Sequence, residues 1–190
     1  MSNMLLDNKT MEILNGFSLD YNKRIYGHEI ARELKMNQKT VSNILKRLER
    51  ENILKFSKEG RNKYYFLNRF NKQIKQIINL IELDRKLKFL RRYKKLDGLF
   101  NTLEDRAKGI LIVFGSYSNF SAHEDSDLDI FVMGDISSIE DLEQMYNIKI
   151  NVVKSNKKKI DKEDIFIKEI IKNHIVLKSI ENFVELIWQT

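Results

Sequence analysis

Asp127 and Asp129 stand one residue apart at the head of the alternating run Asp127-Leu128-Asp129-Ile130-Phe131-Val132-Met133, and ten residues separate Asp127 from the dipeptide Gly115-Ser116. In an extended strand, residues i and i+2 point to the same side. The two carboxylates therefore project together, with Leu128 and Ile130 buried behind them. Two carboxylates on one face repel each other unless a cation lies between them. Mg²⁺ suits such a place: one or two carboxylates hold it while substrate phosphates fill its other positions. Upstream, Ile110 to Phe114 is an apolar run that reads as a buried strand. Gly115 lets the backbone approach a ligand closely. Ser116 adds a hydroxyl, and a helix beginning just after it would aim free N–H groups at phosphate. The bland alternative is a polar loop in which Ser126-Asp127-Leu128-Asp129 merely caps a turn.

Gly-Ser, ten residues, then Asp-x-Asp, in a strand–turn–strand setting, resembles the signature of the minimal nucleotidyltransferases of the DNA polymerase β superfamily. The resemblance covers roughly Lys108 to the C-terminus. It implies that Gly115 and Ser116, with Ser126 at the close of the turn, bind a nucleoside triphosphate, ATP first among them. It also implies that Asp127 and Asp129 are the catalytic carboxylates and bind Mg²⁺. Many relatives have a second Gly four residues after the Ser, preceded by a basic residue; this chain has Phe120 and Asn119. The family's third carboxylate, on a later strand, helps to activate the attacking hydroxyl. The strand that fits is Ile148 to Val153, and alternation sets Lys149, Asn151 and Val153 opposite Ile148, Ile150 and Val152. Asn151 thus takes the carboxylate's place, and an amide cannot accept a proton. Losing a general base typically costs ~10²–10⁴ in rate, so nucleotide binding is better supported than turnover.

The chain around this motif has 190 residues, enough for one large or two small domains, with 42% hydrophobic and 32% charged residues. That balance describes a globular protein rather than a disordered one. Cysteine is absent, which excludes disulfides, thiolate zinc sites and thiol nucleophiles. No apolar run approaches the ~20 residues needed to span a bilayer. Asp7 and Glu12 within the first apolar segment do not fit a signal peptide. A cytoplasmic protein with no membrane association is expected. Charge is uneven: residues 1–100 carry 23 Lys+Arg against 11 Asp+Glu, a net of +12, and residues 101–190 carry 11 against 16, a net of −5. A basic front half suggests a polyanion partner there. The short run Lys157-Lys158-Lys159 reads as a solvated loop.

The front half has helical spacing over 4–18, beginning with Met4, Leu5 and Leu6, then a polar linker over 19–25. A second helix is expected from Gly27 to Lys35, a turn at Met36-Asn37-Gln38, and a third helix from Lys39 to about Asn52. Ile53 to Ser57 and Arg61 to Leu67, joined through Gly60, read as a β-hairpin. Two short helices across a tight turn, followed by a hairpin, resemble a winged helix-turn-helix domain. The resemblance implies that the third helix enters the major groove of double-stranded DNA. Its outward residues would be Gln38, Lys39, Thr40, Ser42, Asn43, Lys46 and Arg47, with Lys58, Arg61 and Lys63 on the wing. No acid interrupts the outward face from Gln38 to Arg47. The alternative is a winged helix used only for protein contacts.

From Phe70, the residues Phe70, Ile74, Ile77, Ile78, Ile81 and Leu87 or Lys88 trace one face of a long helix that breaks near Gly98. It reads either as a rigid spacer or as the seam of a homodimer, and Arg85 to Lys95 extends the positive surface of the front domain. Beyond the motif, Ile139–Tyr146 and Lys162–Lys172 read as helices and Ile175–Lys178 as a strand. Phe183–Trp188 closes the chain, helical or extended. The expectation is an α+β chain of three parts: a winged helix-turn-helix at 1–68, a linker helix at 69–100 and a nucleotidyltransferase palm-like mixed sheet with helices on one face at 101–190. Its function would be DNA binding combined with binding of NTP and Mg²⁺, and transfer of a nucleotidyl group to a hydroxyl on a protein or nucleic acid. Relatives with the minimal domain include toxin-modifying partners of toxin–antitoxin pairs, which sets a toxin among the candidate protein partners and this chain on the antitoxin side. The alternative is a non-catalytic transcriptional regulator whose degenerate nucleotidyltransferase domain senses nucleotide or mediates assembly.

Overall fold

The computed structural model describes residues 7–155 and 165–188. Met4 to Leu6, Lys157 to Lys159 and the first residues of the helix expected from Lys162 lie outside them. The chain divides into two compact units, Met1–Ile81 and Glu82–Thr190, each with its own sheet.

The first unit runs α1 (Asn8–Asn15), β1 (Ile25–Tyr26), α2 (Gly27–Glu33), α3 (Gln38–Arg50), β2 (Leu54–Glu59) and β3 (Asn62–Leu67). α3 presents Val41, Ile44, Leu45 and Leu48 to the core, the i, i+3, i+4, i+7 spacing of a one-sided helix. It starts one residue earlier than its sequence suggests. Asn37 is its N-cap and accepts from the amides of Lys39 and Thr40, a cap worth ~1 kcal/mol. The stretch read as a polar linker ends in β1, which pairs with β3 (Ile25↔Tyr65, Tyr26↔Tyr64) and gives the sheet order β1-β3-β2. The hairpin closes through Gly60-Arg61 between the paired residues Glu59 and Asn62. Gly60 has φ +61°, the left-handed first position that a type II′ turn requires.

α4 (Ile74–Arg92) begins later than expected. Asn68 and Asn71 accept from the amides of Phe70 and Gln73, and these Asx turns compete with helix. Phe70 is consequently 88% exposed instead of inward-facing. The boundary between the two units falls within α4.

In the second unit the inward residue near the end of α4 is Phe89, fully buried, while Leu87 is 45% exposed. The break comes at Tyr93, followed by a 3-10 turn (Lys94–Leu96) and by α5 (Asp97–Arg106), an element the apolar spacing did not reveal. Gly98 lies in the first turn of α5 rather than at the break. Then follow β4 (Ala107–Phe114), α6 (Gly115–Ser118), β5 (Leu128–Ile136), α7 (Glu140–Tyr146), β6 (Ile150–Ser155), α8 (Ile165–Lys172), β7 (Ile175–Lys178) and α9 (Ile180–Trp188). The sheet order is β6-β5-β4-β7, with β5 and β6 parallel and the other pairs antiparallel.

One face of this sheet carries Leu111, Val113, Leu128, Ile130, Val132 and Ile150, packed with Phe89, Leu99, Phe100, Leu103 and Leu142 from α4, α5 and α7. The opposite face carries Phe114, Phe131, Asp129 and Asn151. It is not left open as expected, because Phe166 of α8 lies edge-on to Phe114 at 5.6 Å and to Phe131 at 6.3 Å. Arg85 and Lys86 also depart from the sequence reading. They do not extend a positive surface but turn into this unit: Arg85 donates to Glu82 (3.0 Å) and to the His174 carbonyl, and Lys86 donates to Glu104 (2.7 Å) and to the Leu177 carbonyl. Glu82 and His174 are fully buried, and a buried carboxylate persists only with such partners.

Candidate active site at the Gly115 turn

β4 ends at Phe114, directly opposite Asp129 on β5, and Asp129 is in turn opposite Asn151 on the parallel strand β6. Directly paired residues share a face. Phe114, Asp129 and Asn151 therefore lie side by side across three strands, with Asp127 just before β5 begins. The Asn151 amide donates to Asp129 Oδ1 at 2.9 Å and to Asp127 Oδ2 at 3.3 Å. The apolar residues that alternate with them, Leu128, Ile130, Ile150 and Val152, pack into the core behind. That packing fixes which way the polar set points.

Gly115 has φ +70°, and a Cβ placed on it would meet Asp129 Oδ2 at 2.4 Å. Only a residue without a side chain allows this approach. The helix expected after Ser116 begins at Gly115 itself and is a single turn, so its few free N–H groups, rather than a long dipole, face the turn. The turn is pinned from behind: Ser118 Oγ donates to the carbonyls of Gly115 (2.9 Å) and Asn173 (2.8 Å), and Ser121 N donates to the Ser116 carbonyl at 3.0 Å. Ser116 is partly exposed. Ser126 closes the second half of the loop by accepting from the His123 amide at 2.9 Å.

Phe120 and Asn119 are the two departures from the expected pattern. Phe120 has φ +63°, a left-handed conformation that a glycine would adopt freely and that costs other residues ~1–2 kcal/mol. Its ring lies parallel to Tyr93 (interplanar angle 3°, centroids 6.4 Å apart) and near Phe89, in a cluster with Tyr117 and Phe100. The backbone keeps the turn while aromatic packing offsets its strain. Burial pushes the Tyr93 and Tyr117 phenols up, so both stay neutral. Asn119 accepts from the Ser121 hydroxyl and amide and serves the turn rather than a ligand.

Lys149, unassigned by sequence reasoning, donates to Asp127 Oδ2 at 3.1 Å. That hydrogen bond, with a further one from Asn151, holds the Asp127 carboxyl below the usual carboxylate range. The signal was present in the alternation that sets Lys149 beside Asn151. Phe166 was also missed, because nothing local says that α8 covers this face. Among the described residues, no cluster of three or more His, Cys, Asp and Glu side chains could hold a metal ion. Two carboxylates fit one Mg²⁺ that takes its remaining oxygens from phosphates and water; the Asn151 amide N–H holds those carboxylates and is not itself a ligand. A second metal would lack the third carboxylate. Asp135 pairs with Lys154 (2.7 Å) near the far end of β5 and is not a substitute.

In the first unit, Gln38, Lys39, Asn43 and Lys46 are exposed on α3, with Thr40 and Ser42 half-buried beside them. Gln38 contacts the His28 imidazole. Arg47, half-buried, pairs with Asp7 (3.0 Å) and donates to the Thr10 hydroxyl, tying α3 to the start of α1. On the wing, Lys58 and Arg61 are exposed. Lys63 is drawn back, with its ammonium 3.6 Å from the Phe56 ring centroid and 3.7 Å from Glu49.

No helix among the described residues is long and apolar enough to cross a membrane. No curated protein matches the chain. Residues 94–187, within the second unit, match the family model of the nucleotidyltransferase domain.

Proposed function

We propose that the Gly115 turn and the Asp127–Asp129–Asn151 triad form a site for a nucleoside triphosphate, ATP first, with Mg²⁺. The observation that carries this is the double hydrogen bond from Asn151 to Asp129 and Asp127 across β5 and β6, with Gly115 closed against the same carboxylate. Asp127 and Asp129 would hold the metal, and Gly115 and Ser116 would bring backbone N–H and hydroxyl donors to the phosphates. When bound, Mg²⁺ neutralises phosphate charge and aligns the transferred group. Asn151 orients both carboxylates but can take no proton from an attacking hydroxyl. Lys149 competes with a cation for Asp127 or, once displaced, faces the phosphates. The arrangement supports nucleotide binding with slow transfer of a nucleotidyl group to a hydroxyl on a protein or nucleic acid.

The first unit, with its α1-β1-α2-α3-β2-β3 order and acid-free α3 face, supports a winged helix that binds double-stranded DNA through Gln38, Lys39, Thr40, Ser42, Asn43 and Lys46, with Lys58 and Arg61 on the wing. An antitoxin-like DNA-binding transferase is the reading these features favour. The absence of a proton acceptor at Asn151 favours the second reading, a regulator that senses nucleotide without turnover. Incubation with Mg²⁺, each labelled NTP and cell extract, scoring label on protein and on RNA, separates them. Label that depends on Asp127 and Asp129 supports transfer; its absence despite nucleotide binding supports the sensor.

A further inference from the structure

The sheet of the first unit has one face packed into the core and one turned away. Pairing sets Lys55 beside Phe66 and Ser57 beside Tyr64 on the outer side, opposite Leu54, Tyr65 and Leu67, which are buried. The outer face of such a sheet is ordinarily polar and wet. Here it holds a cavity of about 460 Å³, bounded by Tyr21 and Arg24 from the segment before β1, Lys55, Phe66, and Arg69 and Phe70 beyond β3. The walls are mainly apolar, and three cations but no carboxylate line them. Phe70 stands 88% exposed at this cavity, with Lys55 Nζ 5.2 Å from its ring centroid. Arg24 is steadied by Glu59 at 2.6 Å and lies 5.7 Å from the Tyr64 ring centroid. Arg69 donates to Asn22 Oδ1 at 3.0 Å.

We propose that this cavity binds a small organic anion with a flat, ring-containing body, its carboxylate toward Lys55, Arg24 and Arg69 and its ring between Phe66 and Phe70. The volume lies within the ~300–1,000 Å³ of small-molecule sites, which are characteristically apolar with a few convergent polar groups. Apolar walls favour a ligand that gains by leaving water. Aromatic walls favour a ring, which can meet them offset or edge-on. Three cations and no carboxylate among the lining residues disfavour cationic ligands and favour an anion. Phe70, 88% exposed, extends the apolar surface of the cavity. The cavity is too small to seat a helix. A DNA duplex would engage the cations but leave the aromatic walls unused.

The test uses the full chain, with 1-naphthoate as probe and 1-naphthamide as its neutral counterpart, followed by amide NMR shifts during titration. Binding of 1-naphthoate should move the Ser57, Leu67, Asn68 and Phe70 amides together. The neutral amide should bind at least ~10-fold more weakly, the lower end of what loss of a charge-assisted contact predicts. Lys55→Gln and Phe70→Ala, both at exposed positions, should each weaken 1-naphthoate while leaving the rest of the spectrum in place. No localised shift at millimolar probe, equal binding of the neutral amide, or indifference to both variants would overturn the assignment. So would an oligothymidylate that moves the same amides at lower concentration, which would make the cavity a nucleic-acid contact.

Discussion

Gly115→Ala, compared with Gly60→Ala, isolates the contact on which the proposed nucleotide site depends. Both glycines have left-handed φ, +70° and +61°, so alanine incurs a similar backbone cost at each, ~1–2 kcal/mol. Their surroundings differ. Nothing lies within 4 Å of the Cβ position at Gly60, whereas at Gly115 it falls 2.4 Å from Asp129 Oδ2, about 1 Å inside ordinary van der Waals contact at 3.4 Å. In Gly115→Ala the carboxylate must move by about that 1 Å, away from the position Asn151 now fixes. A charge-assisted contact contributes ~1.5–3 kcal/mol, so nucleotide affinity should fall ~10–150-fold. Urea denaturation and calorimetry with Mg²⁺ and ATP read the two effects separately. Gly60→Ala should lose stability and keep its ATP affinity. Gly115→Ala should lose both. If Gly115→Ala binds ATP like the wild type while losing only the stability that Gly60→Ala loses, the close approach of Gly115 to Asp129 is not part of the site.

Asn151→Asp should raise any measurable transfer, up to the ~10²–10⁴ of a well-placed base; brisk wild-type transfer unaffected by Asn151→Ala would contradict this. Duplex affinity should fall steeply with salt. Lys46→Ala should weaken all sequences alike and Asn43→Ala should blur sequence preference, whereas Arg47→Ala should chiefly lower stability, because Arg47 is bound to Asp7 and Thr10; retardation gels beside denaturation curves distinguish the two. The Asp127 carboxyl lies below the usual range because of Lys149. Its stabilising effect is complete above the unfolded carboxylate pKa near 4 and is lost as pH falls through the lower folded value. Lys149→Ala should move the Asp127 titration upward in NMR, and an unmoved titration would refute the contact.

The proposed nucleotide site was legible where chemistry is local. Alternation by two carries Asp127, Asp129 and Asn151 to one side because Leu128, Ile130 and Ile150 must be buried, and the sequence displays both sets. Gly115 announces a turn. The helix and hairpin order of the first unit was legible too, to within a residue or two at most ends. What escaped reading depends on partners distant in sequence. β1 is two residues long and exists only because β3 offers a pairing edge. Arg47 is drawn to Asp7, forty positions earlier. Arg85 and Lys86 look like surface cations until Glu82, His174 and Glu104 are seen beside them. Phe120 reads as a defect in a glycine position, yet Tyr93 and Phe89 pack against its ring. In each case local spacing gave the residue and only the tertiary fold gave its partner.

The most direct test of the central claim is calorimetric titration of ATP into the full chain with and without Mg²⁺, in the wild type and in the Asp127→Ala, Asp129→Ala double variant. The expected result is Mg²⁺-dependent binding by the wild type that the double variant loses, with the fold intact by circular dichroism. Equal ATP affinity in the two proteins, or affinity indifferent to Mg²⁺, would contradict it.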